Sequence, residues 1–171
     1  MKKIFLIASF SALLVMGCGD SKKEETKEVE TTTEEVKTPE VKEKEPANND
    51  VVIEGDDNMR FNTKRIVVNG GEKVKITLKH VGKMSKDLMG HNLVILKKGT
   101  DLNAFGQKAN AAKDTDYIPA DMKDAIIIHT EMIGGGEETT IEFDAPEAGE
   151  YDFLCSFPAH YAIMRGKFVV Q

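Results

Sequence analysis

Cys155-Ser156-Phe157-Pro158-Ala159-His160-Tyr161-Ala162-Ile163-Met164 places a thiol, an imidazole and a thioether within ten residues, spaced Cys-x4-His-x3-Met. The stretch lies between two apolar runs, 151–154 and 167–170, that read as strands. Its three donors therefore share one loop between neighbouring strands. A soft thiolate beside an imidazole suits copper, and a Met as a weak further donor favours Cu(I) without excluding Cu(II). A fourth donor must come from elsewhere, and His91 in Met89-Gly90-His91-Asn92 is the best candidate. Two His and one Cys in a trigonal set, with a long axial Met, form the arrangement of blue-copper electron-transfer sites.

From Val51 onward the chain consists of short apolar runs separated by turn residues, the texture of an antiparallel β-sandwich. Strands are predicted over 51–54, 65–68, 73–80, 92–96, 126–130, 139–143, 151–154 and 166–170, about eight in all. The 73–80 segment alternates strictly, with Val74, Ile76, Leu78 and His80 on one face and Lys73, Lys75, Thr77 and Lys79 on the other. Leu102, Phe105 and Ala109 recur at helical spacing inside 100–112, which predicts one short helix packed by its apolar stripe on the sandwich. A domain of about 120 residues is long enough for a single proper core.

The first 50 residues have a different character. Residues 1–17 carry the marks of an export leader: Lys2 and Lys3, the apolar run 4–16, then the small Gly17. That run is too short for a spanning helix, which needs about 20 apolar residues. Leu14-Val15-Met16-Gly17 before Cys18 looks like a lipobox, after which Cys18 becomes the lipidated first residue of a mature lipoprotein held at a membrane. The alternative is an ordinary cleaved leader with an incidental Cys18. Residues 20–50 hold eleven acidic and six basic side chains, two Pro and no aromatic residue, so 18–50 reads as a disordered acidic linker, with a docking tail or export signal as the alternative. The formal charge is −6, and most of the acidity belongs to this linker. Nothing in that balance suggests nucleic-acid binding.

Cysteine usage points the same way as the loop. Only Cys18 and Cys155 are present. With Cys18 lipidated, Cys155 has no disulfide partner in an oxidising compartment, where a free thiol is an oxidation liability. Metal coordination protects it most simply. A Cys18–Cys155 disulfide is the rival, and it would destroy the site.

Residues 51–171 resemble azurin, the bacterial blue-copper protein of the cupredoxin superfamily. Four blocks carry the resemblance in order: Gly55-Asp56-Asp57-Asn58-Met59-Arg60-Phe61-Asn62-Thr63, Met89-Gly90-His91-Asn92, His129-Thr130-Glu131-Met132-Ile133-Gly134-Gly135-Gly136-Glu137 and the Cys155 loop. The resemblance implies an all-β, cupredoxin-like Greek-key sandwich or barrel with a helical flap outside it, holding one type 1 copper. It implies His91, Cys155 and His160 as the copper donors, His160 being nearer solvent. Met164 is then the weak axial ligand and the Gly90 carbonyl a distant donor opposite.

Around these donors it implies that Asn92 ties the His91 strand to the Cys loop, that backbone N–H groups of Asn92 and Phe157 point at the sulfur, and that Ser156, Phe157 and Pro158 complete a stiff, dry loop. His80 becomes a packed core histidine and His129 a surface one. Met59, Met89 and Ala159, with Met84 beside them, become an apolar patch through which electrons pass to c-type cytochromes, nitrite reductase or cytochrome peroxidase. The implied location is the cell envelope, facing the periplasm or on the outer membrane.

Three departures stand out. Asn49 and Glu72 occupy the positions of a familiar disulfide, Leu93 stands where a buried Trp is usual, and Ala159 where Gly is commoner. None touches a proposed donor.

Rival functions make different demands. A copper carrier or reservoir should expose its ligands for exchange. A small copper oxidase or reductase needs an open position or a second cluster, and four His in the whole chain are too few. A structural lipoprotein with an incidental thiol predicts no metal at all.

Overall fold

The alternation over 73–80 becomes a strand at the heart of one of two sheets. In the computed structural model, which describes residues 45–171, the strands in chain order are β1 (Asp50–Asp56), β2 (Arg60–Phe61), β3 (Arg65–Val68), β4 (Lys73–His80), β5 (Val94–Leu96), β6 (Ile126–His129), β7 (Glu138–Asp144), β8 (Gly149–Leu154) and β9 (Arg165–Val170). One sheet runs β2-β1-β4-β7 and the other β3-β9-β8-β5-β6. The strand beyond the expected eight is β2, whose two residues are too few to display a period. The leader, Cys18 and linker residues 18–44 lie outside the described residues.

Two pairings depart from the antiparallel expectation. β1 runs parallel to β4, and β3 parallel to β9. A parallel pair cannot be closed by a hairpin, so its partners must be distant in sequence. The chain meets this by inserting β2 and β3 between the first pair and all of β4–β8 between the second. The remaining pairs are antiparallel.

Each sheet presents its apolar face to the other. In β4, Val74, Ile76 and Leu78 are buried while the Lys and Thr between them are not. Ile53 from β1, Ile66 and Val68 from β3, Phe153 from β8 and Phe168 from β9 complete the core between the sheets. Each fully buried large apolar side chain contributes about 1.5–3 kcal/mol, so this layer supplies most of the drive to fold. Leu93, at the position of the missing Trp, is fully buried in the same layer.

A one-turn helix, α1 (Lys86–Met89), precedes the His91 segment, and α2 (Leu102–Ala109) lies within the expected helical stretch. Asp101 caps α2 by accepting from the N–H groups of Asn103 and Ala104 at 2.8 and 3.0 Å. Phe105 and Ala109 pack against Val94, Leu96 and Leu154 in a second cluster, separate from the inter-sheet core. Three-residue and six-residue 3-10 turns at Lys113–Thr115 and Ala120–Ala125 lead back to β6.

Residues 45–49 are tied down before β1 begins. Asn49 accepts from the Asn69 N–H at 2.8 Å and donates to the Asn69 and Lys73 carbonyls at 3.1 and 3.2 Å. These bonds link the start of β1 to the 69–73 turn, next to Glu72. Asn49, at one position of the familiar disulfide, is thus held to the turn that carries Glu72, at the other, by bonds to Asn69 and Lys73.

Candidate metal centre

Two segments far apart in the chain bring the donor side chains together. His91 follows the buried Gly90 that ends α1, and it is clamped by a two-way bridge with Ile133, both N–H···O distances being 2.9 Å. Gly55 makes room for its ring: a Cβ there would come within 2.7 Å of His91 Cδ2. Cys155 follows the last residue of β8, and its N–H donates to the Met164 carbonyl at 2.9 Å, closing the ten-residue loop at its base. Inside the loop the His160 N–H donates to the Phe157 carbonyl at 3.0 Å, and the Met164 N–H to the His160 carbonyl at 2.7 Å. The turn that makes this possible puts Ala159 at φ +67°, the left-handed region that favours glycine. This is why Gly is common there.

One ligating atom from each of His91, Cys155 and His160 lies within 4.8 Å of the others. His91 and Cys155 are fully buried, and His160 is 2 % exposed, the one of the three nearer solvent. Met164 is fully buried in the same small cluster as Cys155, Phe157 and Met132. The Cys155 sulfur sits 3.9 Å from the Gly90 carbonyl and 3.6 Å from His160 Nδ1.

His91 Nε2 lies 2.9 Å from the Asp56 carbonyl, which can only accept, so Nε2 carries the proton. That leaves Nδ1 as a buried lone pair, and among the described residues it is the buried side-chain polar atom with no hydrogen-bond partner. An orphaned lone pair beside a buried thiol and a second imidazole fits a soft metal ion.

Electrostatics agree. Burial pushes the Cys155 thiol up to about 12, against the opposing pull of the Asn92 and Phe157 backbone N–H groups. A bare thiolate here is unstable, and a bound cation supplies the missing counter-charge. Burial lowers His160 to about 4, with the nearby His91 and His80 adding to the effect. Burial also lowers His91, while its bond to the Asp56 carbonyl opposes the shift. Both imidazoles are therefore neutral donors at pH 7.

Comparison with known proteins points to one family. The model of copper-binding proteins of the plastocyanin/azurin family matches residues 47–171. The chain belongs to that family. Azurin from Alcaligenes faecalis is 44% identical over 121 residues, covering 68% of this chain and 94% of that protein. Outer membrane protein H.8 from Neisseria meningitidis serogroup B is 46% identical over 119 residues, covering 67% of this chain and 63% of that protein. Among solved structures, dithionite-reduced auracyanin from the photosynthetic bacterium Roseiflexus castenholzii superposes with a TM-score of 0.65 at 36% identity, over 74% of this chain and 99% of that one. Family and donor cluster together make this a type 1, blue-copper electron-transfer protein with one copper.

The surroundings of this cupredoxin site are built as tightly as the donors. Asn92 Nδ2 donates to Ser156 Oγ at 2.8 Å, and the Ser156 N–H donates to Asn92 Oδ1 at 2.8 Å, both residues being buried. This reciprocal pair locks the segment after His91 to the residue after Cys155. His80 is buried and stacks on the His91 ring at 4.2 Å with planes 14° apart. Its Nδ1 accepts from the Gly82 N–H at 3.1 Å, so its Nε2 donates to the Met89 carbonyl at 2.8 Å. His129 is exposed at the end of β6, and its ring bonds to the Thr130 carbonyl.

Phe157 is buried, Pro158 half-buried and Ala159 exposed. Met59 and Met89 are half-buried and Met84 is 37% exposed. The loops carrying Met59 and Met84 are joined through Asp57, which accepts from the Lys83 and Met84 N–H groups at 2.8 and 3.2 Å. Three contributors are not apparent in the sequence. Leu88, 66% exposed on α1, adds to the apolar surface beside Met89. Gly106 lets Tyr161 lie against α2, since a Cβ there would come 2.2 Å from Tyr161 Cγ. Tyr117 packs edge-on against Phe157 at 5.2 Å and bridges flap and site.

Proposed function

We propose that His91 through Nδ1, Cys155 through Sγ and His160 through Nδ1 would hold the copper, with Met164 and the Gly90 carbonyl as weaker, more distant donors. The observation that carries this assignment is the partnerless, fully buried His91 Nδ1 beside the Cys155 and His160 donors. When bound, copper supplies a Cu(II)/Cu(I) couple that accepts and releases one electron. The chain's own contribution is to hold the donors still and keep water out. The loop closure, the Asn92–Ser156 pair and the His80 stack restrain Cys155 and His91, while Phe157 and Met132 cover the sulfur side. Residues held in one arrangement need not move when charge arrives. The burial of all three donors leaves no face on which a substrate of its own could bind, which supports a carrier role over an enzymatic one.

In this reading the chain comprises a leader (1–17), a lipidated Cys18 with an acidic tether (18–50) and the copper domain (51–171). The similarity to an outer membrane protein supports a place in the cell envelope, at the outer membrane or facing the periplasm. Azurin-like proteins pass electrons to redox partners; those proposed here are c-type cytochromes, nitrite reductase or cytochrome peroxidase, docking on Met59, Met84, Leu88, Met89 and Ala159. Met-rich surfaces suit varied, weak partners. The test is Met89→Lys. Electron exchange with a c-type cytochrome should slow by about tenfold, equivalent to about 1.4 kcal/mol, with the blue absorption unchanged. Unaltered exchange would refute the docking assignment.

A further inference from the structure

Next to the Cys155 loop, on the side of Ile163 and Arg165, a groove of about 340 Å³ is lined by Arg60, Phe61, Thr63, Lys64, Ile163 and Arg165. Three of the six are cations and none is acidic, in a chain whose formal charge is −6. Among the described residues, no carboxylate comes within ion-pair distance of these three cations. Arg165 is steadied instead by donating to Asn103 Oδ1 at 3.2 Å. The apolar members offer a surface a partner can dry: Ile163 is 50% exposed and Phe61 half-buried.

The groove also reaches inward. Phe61 packs against the cluster that contains Cys155 and Met164, and Ile163 and Arg165 flank Met164 in sequence. A molecule seated there lies one side chain from the metal donors, and the groove's lining includes neither Met59 nor Met89. Arg is favoured at the centre of interfaces, and opposite charge across them steers association more than it sets affinity.

We propose that this groove is a second docking surface, specific for a redox protein that presents a carboxylate-rich face beside its own cofactor. The inference rests on the electron-transfer reading above and adds the class of partner. The transfer itself balances as one electron leaving Cu(I), which becomes Cu(II), and entering a haem Fe(III), which becomes Fe(II).

Stopped-flow oxidation of the reduced, copper-loaded full chain by an acidic c-type cytochrome tests it, between about 10 and about 300 mM salt. Guided by this groove, the rate falls about tenfold or more across that range, although both proteins are net negative. Net charge alone gives the opposite sign, a rate that rises with salt, and that result overturns the proposal. Lys64→Glu and, separately, Arg60→Glu should each cost about tenfold in the low-salt rate, while the blue absorption and exchange with a basic c-type cytochrome persist. Rates unmoved by both variants overturn the docking surface but leave the electron-transfer function standing. Loss of the blue absorption in the unaltered chain would instead sink that function. Two further results count against the proposal if the cytochrome rate ignores the groove: flotation with phosphatidylglycerol vesicles by the chain carrying Cys18→Ser, lost when Lys64→Glu is added, which assigns the groove to a membrane, or a concentration-dependent dimer lost in Lys64→Glu, which assigns it to a second copy.

Discussion

Replacing Asn92 by Ala should reveal how much of the site's rigidity rests on one reciprocal pair. Asn92 accepts the Ser156 N–H at 2.8 Å and donates to Ser156 Oγ at 2.8 Å, and both residues are 1% exposed or less. The substitution strips two buried polar groups of Ser156 of their partners at once. Each buried group left unsatisfied costs about 1–3 kcal/mol. The hydroxyl can turn to find other company, so the total should be about 2–5 kcal/mol, a large part of the ~5–15 kcal/mol that stabilises a typical domain. Guanidinium unfolding of the metal-free protein measures this as a lower midpoint at unchanged slope. Ser156→Ala completes a double-mutant cycle: the hydroxyl bond should appear as a coupling of about 1 kcal/mol. An Asn92→Ala cost below about 1 kcal/mol, or strictly additive single mutants, would mean that the pair does not brace the loop.

Other expectations follow from the same geometry. Copper uptake by the metal-free protein at pH 7 should release about one proton, from the Cys155 thiol, because burial holds that thiol protonated up to about 12 and keeps His160 neutral down to about 4. Calorimetry in buffers of different ionisation enthalpy counts these protons, and release of none contradicts the buried-thiol account. The metal-free fold should lose stability as pH falls from 6.5 toward 4: the unfolded chain takes up a proton on His160 there and the folded one does not, so stability rises with pH through this window. A His160→Gln variant should reduce the slope of that part of the profile, the rest coming from His91, which burial also holds low. Ala159→Gly removes a left-handed Ala that costs roughly 1–2 kcal/mol, offset by about 0.4–1 kcal/mol of extra unfolded-chain freedom. The net gain should be about 0.5–1 kcal/mol in denaturant unfolding. Gly106→Ala drives a Cβ into the Tyr161 ring, 2.2 Å from Cγ, and should destabilise by about 1–3 kcal/mol while loosening the turn that carries His160.

The Cys155 loop is legible in the sequence because its donors lie within ten residues, so covalent spacing alone brings them near one another. His91 is legible only by chemistry and resemblance, since the bridge to Ile133 that fixes it is a contact between segments far apart in the chain. The 73–80 alternation places His80 inside, yet no pattern says that its ring will stack on His91. Strand pattern tells which face is buried and not which strand lies alongside, so the parallel pairs β1–β4 and β3–β9 are invisible before the fold is known. The part Gly106 plays shows only once Tyr161 lies against it, and that of Leu88 only once α1 leaves it exposed. Local rules give the elements here, and contacts across the sequence give the site its shape.

The assignment of His91, Cys155, His160 and Met164 meets its most direct test in the optical and electron-paramagnetic-resonance spectra of the protein with one equivalent of Cu(II), alongside Cys155→Ser. The account predicts an intense blue thiolate-to-copper band with narrow hyperfine splitting in the unaltered protein and its loss in the variant. A pale copper spectrum that is the same with and without the Cys155 sulfur would contradict it.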